Sequence, residues 1–407
     1  MQENTTFDVV VVGGGPAGAT AAHDLARKGR SVALLDRAGR IKPCGGAVPP
    51  KLVEEFAIPD HLLVARVRGA CIFSPSARRV DMPIQSNGYV GMVDRDVFDE
   101  WLRERARSSG ALRIEGTFVS LARDADDVAL VSYRSKGSEG AAEVRTLRAK
   151  SVIGADGAVS AVARQAIPNA GRIPHVFAYH EVIRIPADQP DRSVEPAAMY
   201  DRFRCDIFYK GSLSPDFYAW VFPHGETASI GTGSAHKGFS LKGAVRNLRI
   251  NSGLDTAETI RKEGAPIPLR PLKKWDNGRD VVLAGDAAGV VAPASGEGIY
   301  YAMTGGRLAA DAVDQFLVTG DARALATARK RFMREHGRVF WVLGIMQWFW
   351  YRNDRRRERF VSMCSDRDVQ RLTWESYMRK KLVRQAPLAH VRIFFKDMAH
   401  LLGLVAP

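Results

Sequence analysis

The chain has 407 residues, 46% hydrophobic and 26% charged, a globular balance that excludes wholesale disorder and fibrous structure. Its length suits two or three domains with a large core. The net charge is +14, and 17 basic against 7 acidic residues lie from Lys330 onward, so +10 of it sits there; this suits an anionic partner, nucleic acid or lipid, or else is a solvated face.

In chain order, Met1 to Thr6 carries no basic run and the apolar stretch after it stops at Gly13, which argues against a signal peptide. Phe7 to Val12 predicts a strand, 16–28 a helix, and Ser31 to Leu35 a second strand ending at Asp36: a βαβ unit of about 30 residues. A Pro/Gly-rich loop follows at Lys42-Pro43-Cys44-Gly45-Gly46. Asp94 is placed to cap a helix from Arg95 to about Arg107, with Val97, Phe98, Trp101 and Leu102 on one face. Strands are expected near 112–119, 127–133, 143–149 and 151–155, and several more over 175–235. Val281 to Ala284 is another short strand, Gly296-Glu297-Gly298 opens a helix through Arg307, and the chain reads as helical from 320. Cys44, Cys71, Cys205 and Cys364 have no paired spacing and no H-E-x-x-H occurs, so neither disulfides nor a metal site is expected, and a reducing, cytoplasmic-side setting is. No run of 18 apolar residues predicts a transmembrane helix.

Gly13, Gly15 and Gly18 form G-x-G-x-x-G between the first strand and helix. The first glycine permits the tight turn, the second lets backbone approach a pyrophosphate, and the third lets helix and strand pack closely. Pro16 and Ala17 open the helix, whose N-terminus faces phosphate charge. Asp36 ends the second strand, where an acid accepts ribose hydroxyls. Arg37 beside it reads either as a surface charge or as a contact to the adenosine end.

Gly154-Ala155-Asp156-Gly157 and Gly285-Asp286-Ala287-Ala288-Gly289 each follow a short apolar strand. With the fingerprint, these segments resemble blocks of FAD-dependent oxidoreductases of the p-hydroxybenzoate hydroxylase type. The resemblance implies that Asp286, after Gly285, binds the ribityl chain; that Gly296, Gly298 and Ile299 bring backbone amides near the isoalloxazine; that Arg95 contacts the flavin nucleotide; and that Asp156 and Gly157 belong to the FAD site. Two segments are more specific: Lys42-Pro43-Cys44-Gly45-Gly46, and Pro215 to Pro223 (PDFYAWVFP), which fits the P-x-x-Y-x-W-x-F-P signature of geranylgeranyl reductases, with Gly231-Thr232-Gly233 completing its longer form. Asp368 to Trp374 and Ala389 to Asp397 resemble the branch acting in chlorophyll and bacteriochlorophyll synthesis. That family implies reduction of three of four double bonds of a geranylgeranyl chain to phytyl, with FAD as cofactor and NADPH as donor. The chain is either esterified to the pigment or carried as the diphosphate. Other pigment-biosynthesis enzymes are then expected partners.

An isolated alkene needs hydride at one carbon and a proton at the other, with water excluded, so an elongated apolar tunnel is expected. Tyr218 and Trp220, two apart, share one face of a strand with Phe222, which suits a tunnel wall or an aromatic core. The resemblance places Cys44, Gly45 and Gly46 near the isoalloxazine; Cys44 reads as a proton donor, a pocket-shaping residue or an inert thiol. Lys42 suits the flavin, a substrate phosphate or the surface. Phe340 to Tyr351 lacks charge and spans about 18 Å as a helix, short of the roughly 30 Å of bilayer hydrocarbon. Arg352, Arg355, Arg356, Arg357 and Arg359 follow, which suits peripheral membrane attachment or a buried helix under a basic surface. No nucleic-acid-binding signature accompanies them.

The expected fold is α/β plus α+β: a Rossmann-type FAD-binding domain (1–50, 90–174 and 275–325), an inserted antiparallel-sheet substrate domain (51–89 and 175–274) and a helical C-terminal region (326–407). Rival readings are an FAD-dependent monooxygenase and a non-catalytic prenyl-binding escort protein.

Overall fold

The computed structural model describes residues 6–37, 39, 41–85, 88–136, 142–185 and 200–380; the Ala389 to Asp397 segment lies outside them. The chain divides into two compact units, Met1–Lys42 with Arg95–His175 and Pro266–Phe340, and Pro43–Asp94 with Val176–Ala265 and Trp341–Pro407.

The first unit is built on a seven-stranded sheet ordered Leu112–Glu115, Val32–Asp36, Thr6–Val12, Ala142–Gly154, Ala129–Lys136 and Thr117–Arg123, with Val281–Leu283 also on Ala142–Gly154. The strands at the nucleotide end run parallel. Val9 to Val12 and Val32 to Leu35 are almost fully buried, as continuous apolar runs covered on both faces must be. The strands expected separately near 143–149 and 151–155 are one: Ala142–Gly154 pairs antiparallel with Ala129–Lys136 along its first part and parallel with Val281–Leu283 along its last. The first helix is Pro16–Arg27, and the next helix of this unit is Arg95–Ser108. The helix expected to end at Arg307 runs to Thr319, where Gly320 in the left-handed region stops it. It lies hard against the first helix: a Cβ on Gly306 would sit 2.9 Å from the Ala17 carbonyl carbon and closer still to its oxygen.

The second unit holds a seven-stranded sheet ordered Thr259–Pro268, His175–Arg184, Thr227–Ser234, Ala219–His224, Arg204–Phe208, Gly69–Phe73 and Arg79–Pro83. The sheet is mixed rather than purely antiparallel, because Arg204–Phe208 runs parallel to Gly69–Phe73. One face packs on the helix Leu241–Asn251 through Tyr179, Ile183, Val221, Ile230, Val245 and Leu248. The buried pair Arg249 to Glu181, 2.7 Å, ties that helix to the sheet. Side chains alternate across the sheet, so His180, Trp220 and Phe222 point away from this helix.

The division differs from the three parts expected. Residues 43–50 and 90–94 group with the second unit because Val90–Met92 pairs with both Ala47–Val48 and Ala65–Val67 in a small sheet. The described residues after 340 belong there too. Tyr351 and Phe360 pack on Tyr209, and Trp374 donates its indole N–H to the Met82 carbonyl at 3.2 Å. No described helix is long and apolar enough to cross a membrane.

Candidate cofactor and substrate sites

In the first unit the glycine turn takes the form its spacing requires. Gly13 has φ +104 and donates its N–H to the Leu35 carbonyl at 2.8 Å. A Cβ on Gly18 would lie 3.0 Å from the Gly13 carbonyl carbon and closer to its oxygen. Gly15 meets nothing within 4 Å. It caps the Pro16–Arg27 helix without a side-chain partner, leaving first-turn N–H groups for an anion. Asp36 ends its strand with its carboxylate 3.3 Å from Arg103 Nη1, which also reaches the Gly14 carbonyl at 3.4 Å. Arg103 is in turn held by Glu100 at 2.8 Å, and hydrogen bonds from Arg113 and Arg103 hold the Glu100 carboxyl down at about 2. The sequence reading missed Arg103; only its i, i+3 spacing from Glu100 hinted that it is fixed. Arg37 is exposed.

Gly285, φ +64, turns the chain after Val281–Leu283, and a Cβ there would sit 2.7 Å from the Ala17 Cβ. This close approach brings Asp286 beside the start of the first helix. Asp286 is nearly buried, and Lys42 Nζ forms an ion pair with its Oδ2. Gly296 has φ +65 and its N–H bonds the Ala292 carbonyl at 2.8 Å. A Cβ on Gly298 would lie 3.7 Å from Asp286 Oδ1, so the Gly-rich segment and the acid are neighbours. Gly298 caps the 21-residue helix Ile299–Thr319 without a side-chain hydrogen bond. Gly13 to Gly18, Asp36, Gly285-Asp286 and Gly296 to Ile299 thus line one region with two glycine-capped helix N-termini. The chemistry of this lining fits FAD: helix N-termini can face a pyrophosphate, and carboxylates can accept from ribose and ribityl hydroxyls.

Two further residues implied by the resemblance make protein contacts of their own. The buried Arg95 guanidinium forms a two-point pair with Asp99 of its own helix, 2.6 and 2.8 Å. Asp156 accepts from Ser160 Oγ and from the N–H groups of Ala161, 2.6 Å, and Val162, 3.2 Å, so it starts the short helix Ala161–Ala166. Gly157, φ +90, gives that turn its left-handed step.

In the second unit Tyr218, Trp220 and Phe222 line one face as the period of two requires. Ring centroids lie 5.9 Å apart for the first pair and 6.2 Å for the second. Gly231 lies opposite Trp220 on the next strand, and a Cβ there would sit 2.6 Å from Trp220 Cε2. The Cys44–Gly46 loop packs at the end of this face: a Cβ on Gly45 would lie 2.9 Å from the Phe222 ring. His224 Nδ1 bonds Asp94 Oδ1 at 2.8 Å and its Nε2 bonds the Gly45 carbonyl at 3.1 Å. The half-buried Cys44 accepts the Gly46 N–H at 3.4 Å. His224 was invisible as a site residue, because its partners lie in distant parts of the chain.

The charge-free segment Phe340 to Tyr351 continues a helix, Thr327–Trp350. Trp341, Ile345 and Trp348 are exposed, at 68%, 44% and 68%, whereas Phe340, Trp350 and Tyr351 are buried. Arg357 is not a surface charge: it is buried, pairs with Asp354 at 2.6 Å and donates to the Pro215 and Tyr351 carbonyls. Arg356 stacks on Phe349 at 4.2 Å.

A sheet parallel at its nucleotide end, with a glycine turn and a second Gly-Asp turn, suits an FAD-binding flavoprotein, and the FAD binding domain family matches residues 6–332. The chain is 58% identical over 403 residues to a geranylgeranyl diphosphate reductase of Rhodobacter capsulatus, covering 98% of this chain and 99% of that protein. It is 37% identical to a geranylgeranyl diphosphate reductase of Synechocystis, covering 97% of each. A geranylgeranyl bacteriochlorophyll reductase-like protein of Thermoplasma acidophilum shares the fold, with a TM-score of 0.78 at 23% identity over 94% of this chain and 99% of that one. The chain therefore belongs to the geranylgeranyl reductase family and is an FAD-dependent oxidoreductase.

Proposed function

We propose that the protein saturates three of the four double bonds of a geranylgeranyl chain, giving phytyl, with electrons passing from NADPH through FAD. The observation that carries this reading is the aromatic face of Tyr218, Trp220 and Phe222 in a chain that also builds the dinucleotide turn. Reduced FAD supplies hydride. The protein's own residues must hold a flexible hydrocarbon, exclude water and deliver a proton to the second alkene carbon. The aromatic face serves the first two tasks. Cys44, half-buried in a loop pinned by His224, is the proton-donor candidate. The Lys42–Asp286 pair and Asp36 hold the cofactor's polar groups.

The substrate tail is carried in lipid, and the enzyme works from the membrane surface on the cytoplasmic side, where it meets other pigment-biosynthesis enzymes. Trp341, Ile345 and Trp348 recur on one face of their helix, and the exposed Arg352 and Arg355 follow. An aromatic stripe beside basic residues suits the interface of an anionic bilayer. Incubation of the FAD-loaded enzyme with NADPH and either geranylgeranyl diphosphate or the pigment ester, followed by mass spectrometry, tests the reading. Masses rising by two hydrogens per step support it and show which carrier is used; unchanged masses for both substrates oppose it.

A further inference from the structure

The face that carries Trp220 also carries polar residues that a hydrocarbon site has no evident use for. Trp220, 6% exposed, donates its Nε1–H to Ser229 Oγ at 3.1 Å. Ser229 Oγ lies 2.9 Å from His180 Nδ1, and His180 Nε2 lies 3.0 Å from Glu263 Oε2. One direction satisfies the whole chain: indole N–H to Ser229, Ser229 O–H to His180 Nδ1, His180 Nε2–H to Glu263. Every donor in that direction meets an acceptor. Burial pushes the Glu263 carboxyl up, but hydrogen bonds from His180 and Arg261 outweigh this and leave it below the usual range. Its Oε1 forms an ion pair with Arg261, 3.1 Å from Nε.

The backbone fixes this arrangement. His180 and Trp220 both lie opposite Gly231, one on each side. A Cβ on Gly231 would sit 2.6 Å from both the His180 Cβ and Trp220 Cε2, so the glycine lets the indole lie flat over the strand. Ser229 is two residues before Gly231 and therefore faces the same way.

We propose that Ser229, His180 and Glu263 are positioning residues that fix the Trp220 indole and thereby set how many double bonds are reduced. The proposal rests on the reading of Trp220 as a wall of the prenyl site. A polyprenyl chain has no acceptor for an indole N–H. A tryptophan that touches it must find its partner behind, within the protein, or bury an unmade hydrogen bond. Each link behind the indole faces the same requirement, until the chain ends on a carboxylate held by a guanidinium. A fixed indole gives the chain a fixed depth, and depth selects which alkene reaches the reacting position.

The test uses the FAD-loaded enzyme with geranylgeranyl diphosphate and compares the ratio of fully to partly reduced product. Ser229→Ala is expected to lower that ratio about fivefold, which corresponds to about 1 kcal/mol, the size of one net hydrogen bond, with FAD affinity unchanged within about twofold. Ser229→Thr, which keeps the hydroxyl, restores the ratio. Trp220→Phe shifts the ratio by itself, and adding Ser229→Ala to it changes nothing further, because the N–H that Ser229 serves is gone. His180→Gln covers the case in which Ser229→Ala does not fold, and is expected to shift the ratio the same way by a smaller factor. If Trp220→Phe alters the products while neither Ser229→Ala nor His180→Gln does, or if the two effects multiply in the double variant, the positioning role is overturned. If Trp220→Phe leaves the products unchanged, the wall reading itself fails, and the proposal with it.

Discussion

Gly15→Ala separates the folding of the nucleotide turn from its use. Gly15 has φ −73 and ψ −175, an extended conformation open to alanine, and an added Cβ meets no protein atom within 4 Å. Two small effects on the apoprotein oppose each other. Restricting the unfolded chain stabilises by about 0.4–1 kcal/mol, and alanine is a poorer helix cap than glycine by a similar amount. The net change is expected within about 0.5 kcal/mol, or a melting shift of at most about 2 °C. The methyl, however, projects toward the proposed pyrophosphate position. Losing one charge-assisted hydrogen bond there costs about 1.5–3 kcal/mol, so FAD should bind roughly 10- to 150-fold more weakly. Gly18→Ala is the contrast: its Cβ would press on the Gly13 carbonyl, so overpacking of about 1–3 kcal/mol should lower the apoprotein's melting temperature as well. Thermal melts of apoprotein and titration with FAD by flavin fluorescence give both numbers. A Gly15→Ala protein that binds FAD like wild type would refute the placement of the phosphate at this turn.

Asp286→Ala should weaken FAD binding by about 10- to 100-fold, since a nearly buried carboxylate that fits the ribityl hydroxyls is lost; flavin retention on gel filtration checks this. The Glu100 carboxyl is held down at about 2 by Arg113 and Arg103. Its contribution to stability is present above the ordinary glutamate value near 4.5 and is lost as pH falls through about 2. Glu100→Gln should therefore lose stability at neutral pH and show a shallower fall in melting temperature between about pH 4.5 and 2 than wild type. Arg357→Gln should destabilise the fold by about 3 kcal/mol, read by chemical denaturation, because it removes a buried guanidinium that bonds Asp354 and two backbone carbonyls. Replacing Trp341 and Trp348 should leave the melt unchanged and weaken co-sedimentation with anionic vesicles at every salt concentration, while Arg352→Gln with Arg355→Gln should weaken it most at low salt.

What the sequence made legible was local. The glycine turn, the first helix and Asp36 follow from residue type and spacing over a short stretch, and so does the shared face of Tyr218, Trp220 and Phe222. What it hid was pairing at long range. Arg103 with Asp36, Lys42 with Asp286, His224 with Asp94 and His180 with Glu263 join residues 67, 244, 130 and 83 apart, and no single charge announces such a partner. The aromatic run Phe340 to Tyr351 was ambiguous for a different reason. It is apolar on every side, so periodicity could not say that Trp348 faces out and Trp350 in. Arg357 looked like its arginine neighbours until the fold buried it. The division near 43–50 and 90–94 was hidden because two- and three-residue strands leave no period to read.

The central claim is flavin-dependent reduction of isolated alkenes, and the direct measurement is a strictly anaerobic single turnover. Enzyme loaded with FAD is reduced stoichiometrically, mixed with geranylgeranyl diphosphate or the pigment ester, and followed by flavin absorbance and product mass. The account predicts that substrate alone reoxidises the flavin without oxygen, with one dihydro product formed per flavin and tetrahydro and phytyl species on repeated reduction. Flavin that stays reduced until oxygen is admitted, with a hydroxylated product, would contradict it.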